Sequence, residues 1–449
     1  MDMSQHFTTK MLLRYTYPAM LMMLASSVYG IVDGLFVSNF AGKTAFASVT
    51  LIAPFVIILG AVGYMMGSGG SALVAKTRGE GDDARANGYF SLIICATFAA
   101  GLVLAALGFA GMEQAARFLG ASDDMLPLCV LYGRIVMLSL PFYLLQFAFE
   151  TFSSTAGKPK LGLYTALAAG CTNIAFDALF VAGLGWGVAG AALGTVLAEV
   201  VGGTVPLVYF ARANGSALRL GRPAHELRAL GKACVNGSSE MVASVAFSFV
   251  AVVYNWQLMR LIGENGVAAI GVVEYASTVF GTVFAGYNMG AAPLMSYQHG
   301  AGNNREKQSL MRHGFGILIV SGIAMFALSE ALARPLSWAY TGYDAQLQQL
   351  TEHAFRIYAF AFLFMGLGEY GSSLFTALND GPVSAAISFL RTLVFDIGAI
   401  LLLPLALGVD GVWVAVPVAE CLAMLLALAF VRALGPRYGL IAPRTRAAG

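Results

Sequence analysis

The stretch GKTAFASVTLIAPFVIILGAVGYMMGSGGSALVAKTRGEG, residues 42–81, decides the fold. From Thr44 to Ala75 it carries no charged side chain, a run longer than the about 20 residues a helix needs to cross a lipid core. Residues 263–302, GENGVAAIGVVEYASTVFGTVFAGYNMGAAPLMSYQHGAG, align on it without gaps, 221 residues further on. Gly42/Gly263, Ala47/Ala268, Gly60/Gly281, Gly69/Gly290, Leu73/Leu294, Gly79/Gly300 and Gly81/Gly302 are identical pairs. Later, Arg134-Ile135 matches Arg356-Ile357 at an offset of 222. Glycine-rich apolar sequences also align by chance, but the equal placement of helix and loop in both copies favours a duplication.

The rest of the chain agrees. Of its 449 residues 58% are hydrophobic and 11% charged, with a mean hydropathy of +0.74; soluble domains carry about 25% charged residues. A globule of this length has too little interior for so much apolar surface, whereas lipid accepts an apolar exterior directly. Twelve apolar stretches follow one another, starting near Leu12, Phe46, Gly88, Leu128, Leu161 and Val188, then near Val235, Val267, His313, His353, Val383 and Gly411. The first is too long for a signal-peptide core and lacks a small-residue cleavage site, so it is expected to stay as a helix. Prolines at 18, 54, 141, 206, 293 and 417 predict bent or broken helices.

Placing the N-terminus inside puts nineteen of the 26 basic residues on the cytoplasmic side, among them Lys76, Arg78, Arg305, Arg312, Arg444 and Arg446. Both termini are then cytoplasmic, in a multi-pass membrane protein. The expected fold is all-α, with twelve transmembrane helices in two six-helix lobes, residues 1–211 and 235–449. Residues 212–234 form a basic cytoplasmic linker suited to lie on the membrane surface. An even number of helices per copy gives both the same orientation, related by a pseudo-two-fold axis along the membrane normal. The net charge of +2 says little about partners; the lipid bilayer and small organic substrates are expected, nucleic acid is not, and the chain is expected to act as a monomer.

A charge inside the bilayer costs roughly 2.5–3.5 kcal/mol on insertion scales, so each intramembrane acid calls for a partner or a function. Asp33 in the first span and Asp177 in the fifth fall at a similar depth near the outer face, because both spans run outward. Thr195, about two turns into the sixth span, reaches the same level, and Asn173 is one helical turn from Asp177. Two carboxylates, an amide oxygen and a hydroxyl form an all-oxygen set suited to Na⁺ or to a proton. The alternative is that Asp33 caps its helix and the others bond to backbone. Gly30 and Gly34 flank Asp33 at a spacing that allows close helix approach. In the second half Glu240, Glu274, Glu369 and Asp396 could attract a cationic substrate or carry a second proton, unless Arg391 neutralises one of them structurally. Tyr254, Trp256, Tyr275 and Tyr287 are candidates to line a cation-binding cavity, or packing residues. Glu150, Glu199 and Glu420 also fall within helices, without an assigned role.

Soluble-enzyme chemistry fails on inspection. Gly185–Gly190 fits G-x-G-x-x-G but follows no strand, and Gly42-Lys43-Thr44 lacks the earlier glycine of a phosphate loop, since Val37 stands there. The five cysteines are scattered, so neither disulfides nor structural zinc are expected. No cofactor is expected beyond a coupling ion, and no enzyme.

Particular stretches resemble the multidrug and toxin extrusion (MATE) family, in its bacterial branch of staphylococcal-type exporters. Asn173-Ile-Ala-Phe-Asp177, with Thr195 eighteen residues after the aspartate, resembles the family's helix 5 and 6 pattern. Val32–Val37 resembles its helix 1 acid motif, residues 292–302 its helix 8 end, and Ser388-Phe-Leu-Arg391 its helix 11. The resemblance covers nearly the whole chain. It implies an antiporter that exports organic, cationic compounds by alternating access, the helix 1 and 5 acids binding H⁺ or Na⁺. It also gives Glu240 and Glu369 the places of acids in helices 7 and 10. Two positions depart from the pattern: Gln146, counted with Glu240, Glu274, Glu369 and Asp396 as a candidate for the substrate or second-proton site, stands where an asparagine is common, and Gly194 where alanine is usual. The nearest rival is a lipid-linked saccharide or metabolite flippase of the same superfamily, which would want a cationic cavity. A channel or receptor has no need of duplicated halves and buried acids, and an integral-membrane enzyme would need a metal set or nucleophile that is missing.

Overall fold

The computed structural model describes residues 3–441. The chain ends, with Arg444 and Arg446, lie outside the described residues, which are helical throughout their ordered elements. The first half contains α1 (Thr9–Phe36), α2 (Lys43–Gly79), α3 (Asp83–Phe118), α4 (Leu126–Met137), α5 (Leu140–Thr155), α6 (Pro159–Asp177) and α7 (Gly187–Ala211). The second contains α8 (Leu227–Leu261), α9 (Glu264–Gly300), α10 (Asn304–Thr341), α11 (Ala345–Ala359), α12 (Phe362–Ala377), α13 (Gly381–Phe389), α14 (Asp396–Leu407) and α15 (Val409–Tyr438).

The duplication is written into these boundaries. Lys43–Gly79 and Glu264–Gly300 begin and end 221 residues apart, while Leu140–Thr155 and Phe362–Ala377 do so 222 apart. Positive φ recurs at matching turns: Gly42 and Gly263, Gly81 and Gly302, Gly187 and Gly408. It recurs even at Gly157 and Asn379, the latter an asparagine, which tolerates the left-handed region better than most side chains.

Ten helical runs are long and apolar enough to span a bilayer, and an eleventh is broken, α4 and α5 meeting at 58°. The twelfth expected span is the equivalent pair α11–α12, interrupted at Phe360–Ala361. Its first member carries Glu352, His353 and Arg356 and so is too polar to pass on hydropathy alone. Of the prolines expected to bend or break helices, only Pro141 coincides with a break. Pro18, Pro54, Pro206, Pro293 and Pro417 sit inside continuous helices, where neighbouring helices tolerate the lost donor. The α11–α12 break has no proline at all, so proline is not what maintains that interruption.

The segment between the halves differs from expectation. Residues 212–226 run along the start of α3, and the linker ends sooner than residue 234, because α8 begins at Leu227 and not near Val235. Arg219 N donates to Asn87 Oδ1 at 2.8 Å, Gly221 N to Ser91 Oγ at 2.9 Å and Ala224 N to Gly88 O at 3.0 Å. Glu226 accepts from Tyr89 Oη at 2.7 Å and from Arg85 Nη2 at 3.0 Å, and these two bonds hold its carboxyl below the usual range. Backbone donors of the strap need acceptors, and α3 supplies them.

The halves meet through reciprocal glycines. A Cβ at Gly79 would collide with the Tyr297 carbonyl, and one at Gly300 with the Lys76 carbonyl; the two pairs are images of each other at an offset of 221. Gly69 of α2 packs on the backbone of Ala233 and Gly237 in α8, and Gly290 of α9 on Thr16 in α1. All these contacts lie towards the end of the bundle rich in Lys and Arg, which is therefore shut. The N-terminal segment ties across it: Phe7 N donates to Glu306 Oε1 at 2.9 Å and Gln298 Nε2 to Met3 O at 2.7 Å.

Candidate functional site

The candidate residues form two groups, one in each half. In the first half, α1 and α6 bring Asp33 and Asp177 side by side, with Asn173 next to them. Asp177 is fully buried and Asn173 nearly so. Asp33 Oδ1, Asn173 Oδ1 and both Asp177 oxygens are buried without a hydrogen-bond donor. Two facing carboxylates offer each other only lone pairs unless a proton or a cation lies between them, so this donor set fits either. A π-helical turn, Ala178–Gly183, starts immediately after Asp177, and another, Val37–Ala41, one turn after Asp33. Such turns insert an extra residue into the helix and re-aim the side chains beside them.

Gly194 explains one departure from the family pattern. A Cβ there would run into Asp177 Oδ1, so the glycine makes room for the carboxylate. Thr195, the fourth expected member, is next along α7 and neighbours Tyr132 of α4. Tyr132 was not legible as a site residue, since nothing in its sequence context marks it.

In the second half, Arg391 is the centre. It sits in a π-helical turn, Leu390–Phe395, that ends immediately before Asp396. Its Nη2 donates to Glu420 Oε1 at 2.8 Å, its Nε lies 3.0 Å from Glu420 Oε2, and Glu369 Oε1 is 3.4 Å away. Asn288 Nδ2 reaches the other Glu369 oxygen at 3.5 Å. Glu240 faces Ser68 of the opposite half. Asp396 keeps Oδ1 buried without a donor. Glu274 is set apart, against Tyr254 and Tyr358, and makes no ion pair among the described residues.

A cavity of about 260 Å³ lies between the halves, and Glu240, Glu369, Arg391, Asn288 and Ser388 line it together with Ser68 and Tyr64 from the first half. Ser372, which also lines it, bonds to Ser384 and Ser388 at 2.9 Å each. The four aromatic candidates do not line this cavity: Trp256 and Tyr275 are exposed, Tyr254 donates to Val412 O at 2.6 Å, and Tyr287 is buried in packing. Tyr64 takes that place, stacked on Phe147 with ring centroids 3.8 Å apart. Gln146 belongs to neither the cavity nor the second half. Its Nε2 donates to Glu150 Oε1 at 3.3 Å, and its amide fills the space over Gly202. Among the described residues no three His, Cys, Asp or Glu side chains gather as a metal centre.

Comparison with known proteins places this geometry. The MatE family model matches residues 18–179 and 240–400, one stretch in each half. The multidrug export protein MepA of Staphylococcus aureus (strain MSSA476) is 24% identical over 431 residues, covering 95% of this chain and 94% of its own. MepA of Staphylococcus haemolyticus (strain JCSC1435) is likewise 24% identical, over 432 residues, with the same coverage. Among solved structures, the outward-facing conformation of a multidrug resistance MATE family transporter superposes with a TM-score of 0.91 at 19% identity, over 96% of both chains. A Pyrococcus furiosus transporter of the MOP superfamily, described as having a binding pocket of reverse polarity, gives 0.89 at 20% identity, also over 96% of both. At these identities the solved structures share the fold.

Proposed function

This chain belongs to the MatE family of membrane transporters, and on that premise we propose that it exports small organic, cationic compounds in exchange for H⁺ or Na⁺ by alternating access. The observation that carries this reading is the Asp33–Asp177 pair: two adjacent carboxylates within the membrane, with Asn173 and no basic partner. A structural pair of acids would be costly, whereas a coupling ion turns the cost into ion-dependent free energy. Asp33, Asn173, Asp177 and Thr195 are the proposed ion site, with carboxylate, amide and hydroxyl oxygens of the kind Na⁺ accepts.

The central cavity is the proposed substrate site. It holds Glu240 and Glu369 against a single arginine that is already paired with Glu420, so its surplus charge is negative and suits a cation. The same surplus weighs against the flippase of a pyrophosphate-linked lipid, which would need free arginines or lysines. The two halves, α1–α7 and α8–α15, joined by residues 212–226, are the units proposed to rock. With the basic end in the cytoplasm of a bacterium, the shut glycine contacts make this the state whose cytoplasmic side is closed.

The test is efflux of a fluorescent cationic dye from proteoliposomes, wild type against Asp177→Asn, with a pH gradient and a sodium gradient imposed separately. Dye movement under one gradient, lost in the variant, supports the reading and identifies the ion. A folded wild type that moves no dye under either gradient overturns it.

A further inference from the structure

Glu199 of α7 takes no part in the scheme above, yet it is only 6% exposed. Its Oε2 lies 2.6 Å from Ser139 Oγ, and Ser139 Oγ is also 2.9 Å from Val136 O. A serine hydroxyl has one proton and can donate to only one of the two. Both contacts are satisfied together when Glu199 is protonated: its O–H donates to Ser139 Oγ, and Ser139 donates to the Val136 carbonyl. When Glu199 is ionised, Ser139 must turn its proton to the carboxylate, and the carbonyl loses that donor.

The position of this switch gives it consequence. Ser139 is the second of the two residues between α4 and α5, at the 58° break of the fourth span. Val136 O also accepts from Ser139 N at 3.1 Å, so both Ser139 donors secure the turn. Thr195 lies one helical turn before Glu199 on the same helix, and Tyr132 neighbours Thr195 while facing Asp33, Asp177 and Glu199. The Tyr132 and Thr195 hydroxyls, next to each other, thus lie in the region shared by Glu199 and the Asp33–Asp177 pair.

No base compensates Glu199. The groups facing it are Tyr29 of α1, Tyr132 of α4 and Tyr143 of α5, of which Tyr132 also faces Asp33 and Asp177; Gln146 and Glu150 of α5 pair with each other nearby. Arg134 of α4 is turned to Phe109 O at 3.3 Å. Lys158 and Lys160 are exposed at the start of α6, and Lys43, Lys76 and Arg78 occupy the two ends of α2. A charge on Glu199 would therefore be buried with one hydroxyl as its partner and no cation beside it.

We propose that Glu199 is a second proton-carrying carboxylate of the first half, exchanging its proton with the Asp33–Asp177 pair through the Thr195 and Tyr132 hydroxyls and reporting its state to the α4–α5 break through Ser139. The transport role of this proton rests on the antiport reading; its existence does not. The experiment is infrared difference spectroscopy of the purified protein during a pH jump, with no substrate or gradient present. A protonated-carboxyl stretch that titrates in the wild type, disappears in Glu199→Gln and persists in Asp33→Asn/Asp177→Asn is the expected result. Ser139→Ala is expected to keep the band but move it to the higher frequency of a carboxyl without that hydrogen bond. A band unchanged in Glu199→Gln overturns the proton site, and an unshifted band in Ser139→Ala overturns the link to the break. Failure of dye efflux with these infrared results intact would fall on the antiport reading alone.

Discussion

Glu199 and Glu420 occupy the same place in the two copies of the repeat, 221 residues apart, each preceded by alanine and each following a glycine turn, Gly187 or Gly408. Their surroundings are opposite. Glu420 is clasped by Arg391 through two short bonds, whereas Glu199 has one serine hydroxyl. Duplication supplied one buried acid per lobe, and one arginine made the second a fixed ion pair while the first stayed free to hold a proton. Burial by itself therefore says little about what an acid does in a membrane; its partner does.

The comparison breaks most severely at Arg391. Arg391→Ala leaves Glu420 buried without compensation and is expected to cost about 3–5 kcal/mol, read as a lower melting temperature in detergent. Adding Glu420→Gln is expected to recover part of that loss, and no recovery would mean that Arg391 serves chiefly Glu369. Next come the reciprocal glycines. Gly79→Val and Gly300→Val each place a side chain against backbone and are expected to disfavour the shut state by roughly 1–3 kcal/mol. Cysteine labelling at the basic end should rise equally for both if the two contacts are energetic as well as geometric images.

Asp177→Asn is expected to abolish gradient-driven efflux yet leave stability within about 1 kcal/mol of wild type, or raise it, because one of two facing carboxylates is removed. A large loss of stability would instead make the pair structural. The smallest change is Gly194→Ala. Its Cβ presses chiefly on the buried Asp177 carboxyl, at Oδ1, so it should fold at a cost of about 1–3 kcal/mol while shifting the ion concentration that half-saturates transport. An unaltered ion dependence would show that the space over Asp177 is immaterial.

Much of this was legible in the linear sequence. Apolar length gave the spans, and the gapless match of residues 42–81 with 263–302 gave a duplication whose element boundaries recur at the same offsets. Asp33, Asn173 and Asp177 were legible because a charge in an apolar run is costly enough to stand out. The aromatic candidates failed for the opposite reason: tyrosine and tryptophan are at home in membrane helices, so their presence carries little information. Tyr64, Ser68, Asn288 and Ser388, which line the cavity, are small or common polar residues whose role depends on the face they present. The linker's end was misplaced because the first turns of α8 carry Arg228 and Lys232 and so read as linker, while the acceptors that hold the linker, Asn87, Ser91 and Gly88, lie more than a hundred residues earlier.

The sequence by itself determined that the chain crosses a membrane many times, that its halves are copies, and which acids fall within the apolar spans, because transfer free energy is local and additive along the chain. Only the tertiary structure decided which acid meets an arginine and which meets a serine. Such pairing joins residues far apart in sequence, Arg391 with Glu420 and Ser139 with Glu199, and a charge's energy in low dielectric depends on that neighbour more than on the charge itself.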